Sequence, residues 1–256
     1  MTARDTLLEL DQVALHFGGL AAISDLSMTV HPGEVLAVIG PNGAGKTSML
    51  NLVTRVFDAT RGRILFKGQD IAALPRARIA HLGIARTFQN IELFDAASVL
   101  DNLLLGRHRF GAGAWWQQVL RTSALTRAEE AHREKVEEII EFLELSAWRN
   151  ARVAGLPYGV RKIVELGRAL CSEPDVLFLD EPASGLNPEE TRDLAFWIDD
   201  IRSDLGITVV MIEHDMALVG AVADRVICMA QGRVLAQGTA AQVQAHPDVI
   251  AAYLGT

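Results

Sequence analysis

The chain has 256 residues, half of them apolar and 22% charged, a balance that suits one large soluble domain or two closely joined subdomains. Its 24 basic and 32 acidic residues give a formal charge of −8 without any Lys or Arg stripe, which argues against a nucleic-acid partner held by phosphate neutralisation. No apolar run approaches the ~20 residues needed to cross a bilayer, MTARDTLLEL carries no signal-peptide pattern, and Cys171 and Cys228 read as buried inert thiols of a cytoplasmic chain.

Strand-like runs open the sequence, LLELDQVALHF and then LSMTV, followed by a turn at His31-Pro32-Gly33-Glu34. The run VLAVIG (35–40) is continuously apolar, the pattern of a strand buried on both faces of a parallel sheet. A glycine-rich loop and a helix come next, and GRILFKGQDI (62–71) predicts a strand pair turning near Gly68. From about 95 to 160 the pattern turns helical. Thr126-Arg127-Ala128-Glu129 is a capping box for a helix start, and Val136, Ile139, Ile140 and Leu143 fall on one face at helical spacing. Trp115 and Trp116, in GAGAWWQQ (111–118), are expected to pack within this helical segment rather than meet a membrane surface or a partner helix. Strand and helix alternate again afterwards, with VLFLDEP (176–182) and ITVVMIEHD (207–215) as buried strands ending in acids. RVICMAQGRVLAQG (225–238) predicts a hairpin turning at Gln231-Gly232, and the capping box Thr239-Ala240-Ala241-Gln242 starts a final helix. The expectation is an α/β fold: a P-loop (RecA-like) core with an N-terminal antiparallel β-subdomain and an inserted α-helical subdomain. The core takes 1–90 and 165–256, and the helical part 91–164.

Gly40-Pro41-Asn42-Gly43-Ala44-Gly45-Lys46-Thr47 fits G-x-x-x-x-G-K-[ST] between a strand and the helix that Ser48 continues. The glycines let successive amides face phosphate oxygens, and the helix N-terminus adds partial positive charge. Lys46 is expected on the β- and γ-phosphates of ATP, with the Thr47 hydroxyl on Mg²⁺. Asp180, ending a buried strand, is the expected metal acid. Glu181 would polarise the attacking water, provided the chain turns after Asp180; Pro182 is consistent with such a turn. His214 ends a strand expected beside that of Asp180, so its imidazole is placed to donate to the γ-phosphate.

The order P-loop, Gln89 in RTFQN, LPYGV (156–160), LFLDEP, SGLN (184–187) and a strand ending in His214 resembles the ATP-binding subunit of an ABC transporter across nearly the whole chain. The resemblance implies that Phe17 stacks on adenine and that Gln89 contacts Mg²⁺ and the attacking water while linking the site to a membrane subunit. It also implies that Ser184-Gly185-Leu186-Asn187 passes between two subunits of a dimer. Segment 156–160 usually reads LSGGQ in that family and caps the γ-phosphate of ATP on the opposite subunit. Here Leu156 and Gly159 match, whereas Pro157, Tyr158 and Val160 depart. Pro157 suits the first helical position, and the cap contributed in trans by Pro157, Tyr158 and Gly159 would rest on helix dipole and backbone amides.

The tyrosine before the glycine, the start FGGLAA and the tail HPDVIAAYLG are similar to one branch, the ATP-binding proteins of branched-chain amino-acid importers and their relatives for other hydrophobic or amide-type solutes, which implies a subunit whose ATP hydrolysis powers import of such a solute. The branch implies a peripheral protein on the cytoplasmic side of the inner membrane. Its partners would be a second ABC ATPase subunit, identical or different, transmembrane permease subunits and, indirectly, a periplasmic solute-binding protein. Ile91, Leu93 and Phe94, beside Gln89, would receive a permease helix or else pack in the core. The competing readings are an ABC-type ATPase acting on a macromolecular assembly and a non-hydrolysing regulatory subunit. A single cassette with net negative charge argues against the first, and intact Glu181, His214 and Gln89 argue against the second.

Overall fold

The computed structural model describes residues 6–89, 91–110 and 123–254; Trp115 and Trp116 lie outside the described residues. The chain forms two compact units, Met1–Arg86 with Asp175–Thr256, and Thr87–Pro174.

The first unit is built on strands β1 (Leu8–Phe17), β2 (Leu20–Val30), β3 (Val35–Ile39), β4 (Arg61–Phe66), β5 (Gln69–Asp70), β6 (Ile84–Arg86), β7 (Val176–Asp180), β8 (Thr208–Ile212), β9 (Arg225–Ala230) and β10 (Arg233–Gly238). They form one sheet in the order β5-β4-β1-β2-β10-β9-β3-β8-β7-β6. The β1, β2, β4 and β5 end is antiparallel, as the N-terminal run of alternating strands predicts. β2 begins at Leu20, well before LSMTV, so FGGLAA is the tip of a hairpin.

At the other end β6, β7, β8, β3 and β9 run parallel. Every residue of β3, β7 and β8 is buried, which explains their unbroken apolar runs: both faces are covered. Each such Val, Leu or Ile contributes about 1.5–3 kcal/mol by leaving water. The two predicted hairpins turn on residue pairs with positive φ, Lys67 and Gly68 at 50° and 76° and Gln231 and Gly232 at 50° and 72°. That is the two-residue geometry whose twist matches paired strands.

Helices of this unit are α1 (Lys46–Val53), then α5 (Pro188–Ser203), α6 (Met216–Val222), α7 (Ala240–Gln244) and α8 (Pro247–Leu254). The Thr239 capping box is present, with Gln242 closing back on the Thr239 amide at 2.9 Å. The helix it starts is short, however, and α8 follows as a separate element, because Pro247 opens a new helix rather than extending the old one.

The second unit holds α2 (Val99–Gly106), α3 (Ser123–Phe142) and α4 (Tyr158–Leu170). Val136, Ile139, Ile140 and Leu143 are all buried on one face of α3, as their spacing predicts. The capping-box expectation at Thr126 fails, since α3 already runs at Ser123; the local pattern fits a cap, but the helix begins earlier. Among the described residues no helix is long and apolar enough to cross a membrane. Both cysteines are free and buried, and burial pushes the Cys171 thiol up to about 12, so it is inert at neutral pH.

Candidate functional site

The loop between β3 and α1 is held in a shape that only glycine permits at two points. Gly40 has φ 148°, and a Cβ there would lie 2.2 Å from the Met229 carbonyl oxygen. Gly45 has φ 100°, and its Cβ would meet the Ala22 carbonyl oxygen and the Ile23 side chain, each at 2.8 Å. The loop is thus seated on β2 and β9 rather than hanging in solvent. Asn42 and Gly43 at its tip are exposed, as is Thr47 in the first turn of α1. Lys46 donates to the Gly40 and Pro41 carbonyls at 2.6 and 3.1 Å, so its ammonium is positioned by the loop itself. Burial lowers its pKa, and the charges of Glu181 and Asp180 act in the opposite sense. Those interactions place both acids in the electrostatic neighbourhood of the loop.

Sheet register explains why. Val38 pairs with Ile212, and Ile212 with Asp180, so the carboxyl ends of β3, β8 and β7 are level. Asp180 is buried in an ion pair with Arg86 of the neighbouring β6 at 2.7 Å, and Arg86 also donates to Asn51 of α1 at 2.7 Å. The pair uses the Asp180 Oδ2. Glu181 follows with φ 50°, a left-handed conformation that costs a non-glycine residue about 1–3 kcal/mol. Its amide donates to Ile212 O at 2.9 Å and its carbonyl accepts from Ser184 N at 3.1 Å. The chain does turn after Asp180, as placing both acids on one side of the sheet requires.

His214 lies two residues beyond β8, with its side chain 68% exposed, next to the fully buried carboxylate of Glu213. Asn187 caps α5, accepting from Glu189 and Glu190 amides at 2.9 and 3.0 Å, which fixes the SGLN loop at its far end. Phe17, at the end of β1, is 47% exposed and meets Phe57 edge-on at 5.0 Å between centroids, leaving ring surface available. Tyr253, on α8, has its hydroxyl near the Gly40 amide; burial raises its pKa, and that amide acts to lower it. The C-terminal helix therefore reaches the phosphate-type loop.

Gln89 and segment 156–160 belong to the second unit. Pro157 is the cap residue of α4, with Arg161 N donating to its carbonyl at 3.0 Å, and Tyr158 takes the first helical position expected for the proline. The one-residue difference follows from the backbone of Pro157, whose ψ of 151° is extended rather than helical. The first-turn amides, those of Gly159 and Val160 among them, have no carbonyl of their own helix to bond. Phe94 is 62% exposed, so core packing does not account for it, whereas Leu93 is half-buried.

Glu165 of α4 is buried and accepts a hydrogen bond from the Phe88 amide at 3.4 Å, with the Glu92 amide also near its carboxylate, so that the two lie either side of Gln89 in sequence. Burial raises its carboxyl pKa, and those two amides pull the other way. The folded state therefore holds this proton more tightly than the unfolded chain, and stability falls as pH rises from the ordinary glutamate range through the raised value. Glu165→Gln should gain stability relative to the wild type across that window and hold a constant difference above it. Denaturant titrations at several pH values measure this; a difference that shrinks with rising pH would refute it.

Arg86, Asn51, Glu165, Glu213 and Tyr253 receive no role from the sequence. A charged residue buried against a distant partner leaves no periodic signal; Arg86 in RTFQN, Glu213 before His214 and Tyr253 in the tail HPDVIAAYLG stood in quoted segments without any sign of what they would meet.

A family model described as "ABC transporter" matches residues 23–184, and one described as "Branched-chain amino acid ATP-binding cassette transporter" matches residues 233–256. The high-affinity branched-chain amino acid transport ATP-binding protein LivG of Escherichia coli is 38% identical over 97% of this chain and 98% of its own length. Its counterpart BraF of Pseudomonas aeruginosa is 39% identical over the same shares. Among solved structures, a nucleotide-free ATP-binding cassette from an ABC transporter superposes with a TM-score of 0.85 at 31% identity, covering 98% of this chain and 100% of that one. An ATP-binding cassette of an ABC transporter in its ADP conformation gives the same TM-score and identity, over 98% and 99%. With motif order, sequence and fold agreeing over almost the whole length, the chain belongs to the ABC transporter family as one of its ATP-binding, ATP-hydrolysing subunits.

Proposed function

We propose that this subunit powers import of branched-chain or other hydrophobic amino acids, or related solutes, through a membrane permease. It would work paired with a second ABC ATPase subunit, peripheral at the cytoplasmic face of the inner membrane. The observation that supports the hydrolytic part is the level end of three parallel strands, with Asp180 and Glu181 in the electrostatic neighbourhood of Lys46 and His214 two residues beyond β8. The solute class is supported by the names of the relatives, each 38–39% identical.

In this reading the amides of Asn42, Gly43 and residues 45–48 and the Lys46 ammonium bind the β- and γ-phosphates, while Phe17 packs on adenine. The donor set of Thr47 hydroxyl and Asp180 carboxylate, both in the first unit, fits a hard, oxygen-liganded cation. Mg²⁺ held there would supply charge neutralisation on the phosphates. Glu181, turned by its positive φ, accepts a proton from the attacking water, and His214 and Lys46 donate to the charge that builds on the transferring phosphoryl. A partner subunit closes the γ-phosphate with its own copy of 156–160, through the amides at the start of α4. Exposed Phe88 and Phe94, flanking Gln89, offer the apolar surface a permease helix would cover.

Isolation from membranes in mild detergent tests the proposal. The subunit is expected with permease chains and a second ATPase chain, and vesicles rebuilt from that complex should take up leucine only with Mg-ATP inside a coupled assay. Recovery with ribosomes or another macromolecular assembly, and no uptake, would overturn it.

A further inference from the structure

We propose that Glu213 is a positioning residue that locks the backbone carrying Glu181 and the backbone carrying His214 into one register. The inference rests on the reading that these two residues serve hydrolysis.

The side chain of Glu213 is fully buried just past the end of β8. Its Oε1 accepts from the Ala183 amide at 2.7 Å, and its Oε2 from the His214 and Asp215 amides at 2.9 and 3.3 Å. Its own amide donates to Val38 O at 3.3 Å, in the strand that leads to the phosphate loop. Among the described residues its one ion-pair-range neighbour is the His214 ring, at 3.9 Å. A buried carboxylate satisfied by amides rather than by a cation is costly to maintain, so packing alone is a poor reason for an acid here.

The pattern of acceptors supplies a better one. Pro182 has no amide hydrogen, so Ala183 N is the first donor after Glu181. Glu181 is then fixed from three sides: its amide on Ile212 O, its carbonyl under Ser184 N, and the next available amide on Glu213. Those bonds hold a non-glycine residue in its left-handed conformation. The other oxygen grips His214 and Asp215, and Asp215 caps α6 by accepting from Ala217 and Leu218 amides at 2.9 and 3.1 Å. One acceptor-only group thus joins two loops, each through backbone donors. Neither an amide nor a hydroxyl can do this, because each carries a donor of its own. Displacement of His214 by an arriving phosphate would be transmitted through Glu213 to Glu181.

Glu213→Gln keeps the size but must turn an NH₂ toward one set of amide donors. In the full-length chain its steady-state kcat should fall by about 10- to 100-fold, the cost of a small misplacement of reacting groups. Equilibrium binding of a fluorescent ATP analogue and the melting temperature should stay near wild type. In a His214→Ala background the same change should cost less, since the share acting through His214 is already lost and only the share acting through Glu181 remains. The proposal is overturned by an unchanged kcat, by equal losses in both backgrounds, or by kcat, nucleotide affinity and folding falling together, which marks a general structural role. A Glu181→Gln variant run alongside separates the readings: if it retains full turnover, the hydrolytic assignment fails, whatever Glu213 does.

Discussion

Glu181→Gln is expected to cut ATP turnover by about 10²- to 10⁴-fold, the span of a lost general base, while nucleotide binding persists. Two observations set this expectation. The side chain is delivered to the loop by a left-handed backbone that nothing in local propensity favours, and its charge is felt at Lys46. Strain of that kind survives only where surrounding bonds over-determine it. Glutamine preserves size and backbone but cannot take the proton. Steady-state phosphate release gives the rate, and light scattering with Mg-ATP gives a second readout. Slowed hydrolysis should trap a closed pair, so an ATP-dependent shift from monomer to dimer means that 156–160 can cap a phosphate in its own twin. A monomer that still binds ATP means that the partner is a different chain or that the permease is required. Undiminished turnover would remove Glu181 from the mechanism.

The second large effect is on stability. Arg86→Met should destabilise the fold by about 3–5 kcal/mol, because it leaves the Asp180 carboxylate buried without its counter-charge. That is a large share of the 5–15 kcal/mol that holds a typical domain together. Arg86 also ties Asn51 of α1, so the same change loosens the helix that begins with Lys46. A cation on Asp180 would replace part of the missing charge, so the variant's melting temperature should gain more from Mg-ATP than the wild type's does. Urea and thermal melts with and without Mg-ATP decide both points. A wild-type melting curve would show that the pair is energetically idle.

Local features were legible in the sequence because their causes are local. Glycines at 68 and 232 mark hairpins since the two-residue turn needs positive φ, and both turns form there. The Thr239 cap and the buried face of α3 follow from hydrogen-bond reach and helical period. Where local rules misled, a longer element overrode them. Thr126 has the pattern of a cap but sits inside a helix already formed, and Pro157 sits one residue outside the helix it was expected to begin.

By itself the sequence determined the family, the phosphate-type loop with its flanking strand and helix, and the order in which acids and histidine return to it. Those depend on residue type at short spacing. Only the tertiary structure decided which charged groups are buried together. Arg86 and Asp180 are 94 residues apart, and Glu213 and Ala183 are 30 apart. Their partners are chosen by the strand order β3-β8-β7-β6 and by the register that levels the strand ends, which arise when non-adjacent strands pair. A buried acid looks the same in sequence whether it faces an arginine, three amides or solvent; its meaning comes from what folding brings against it.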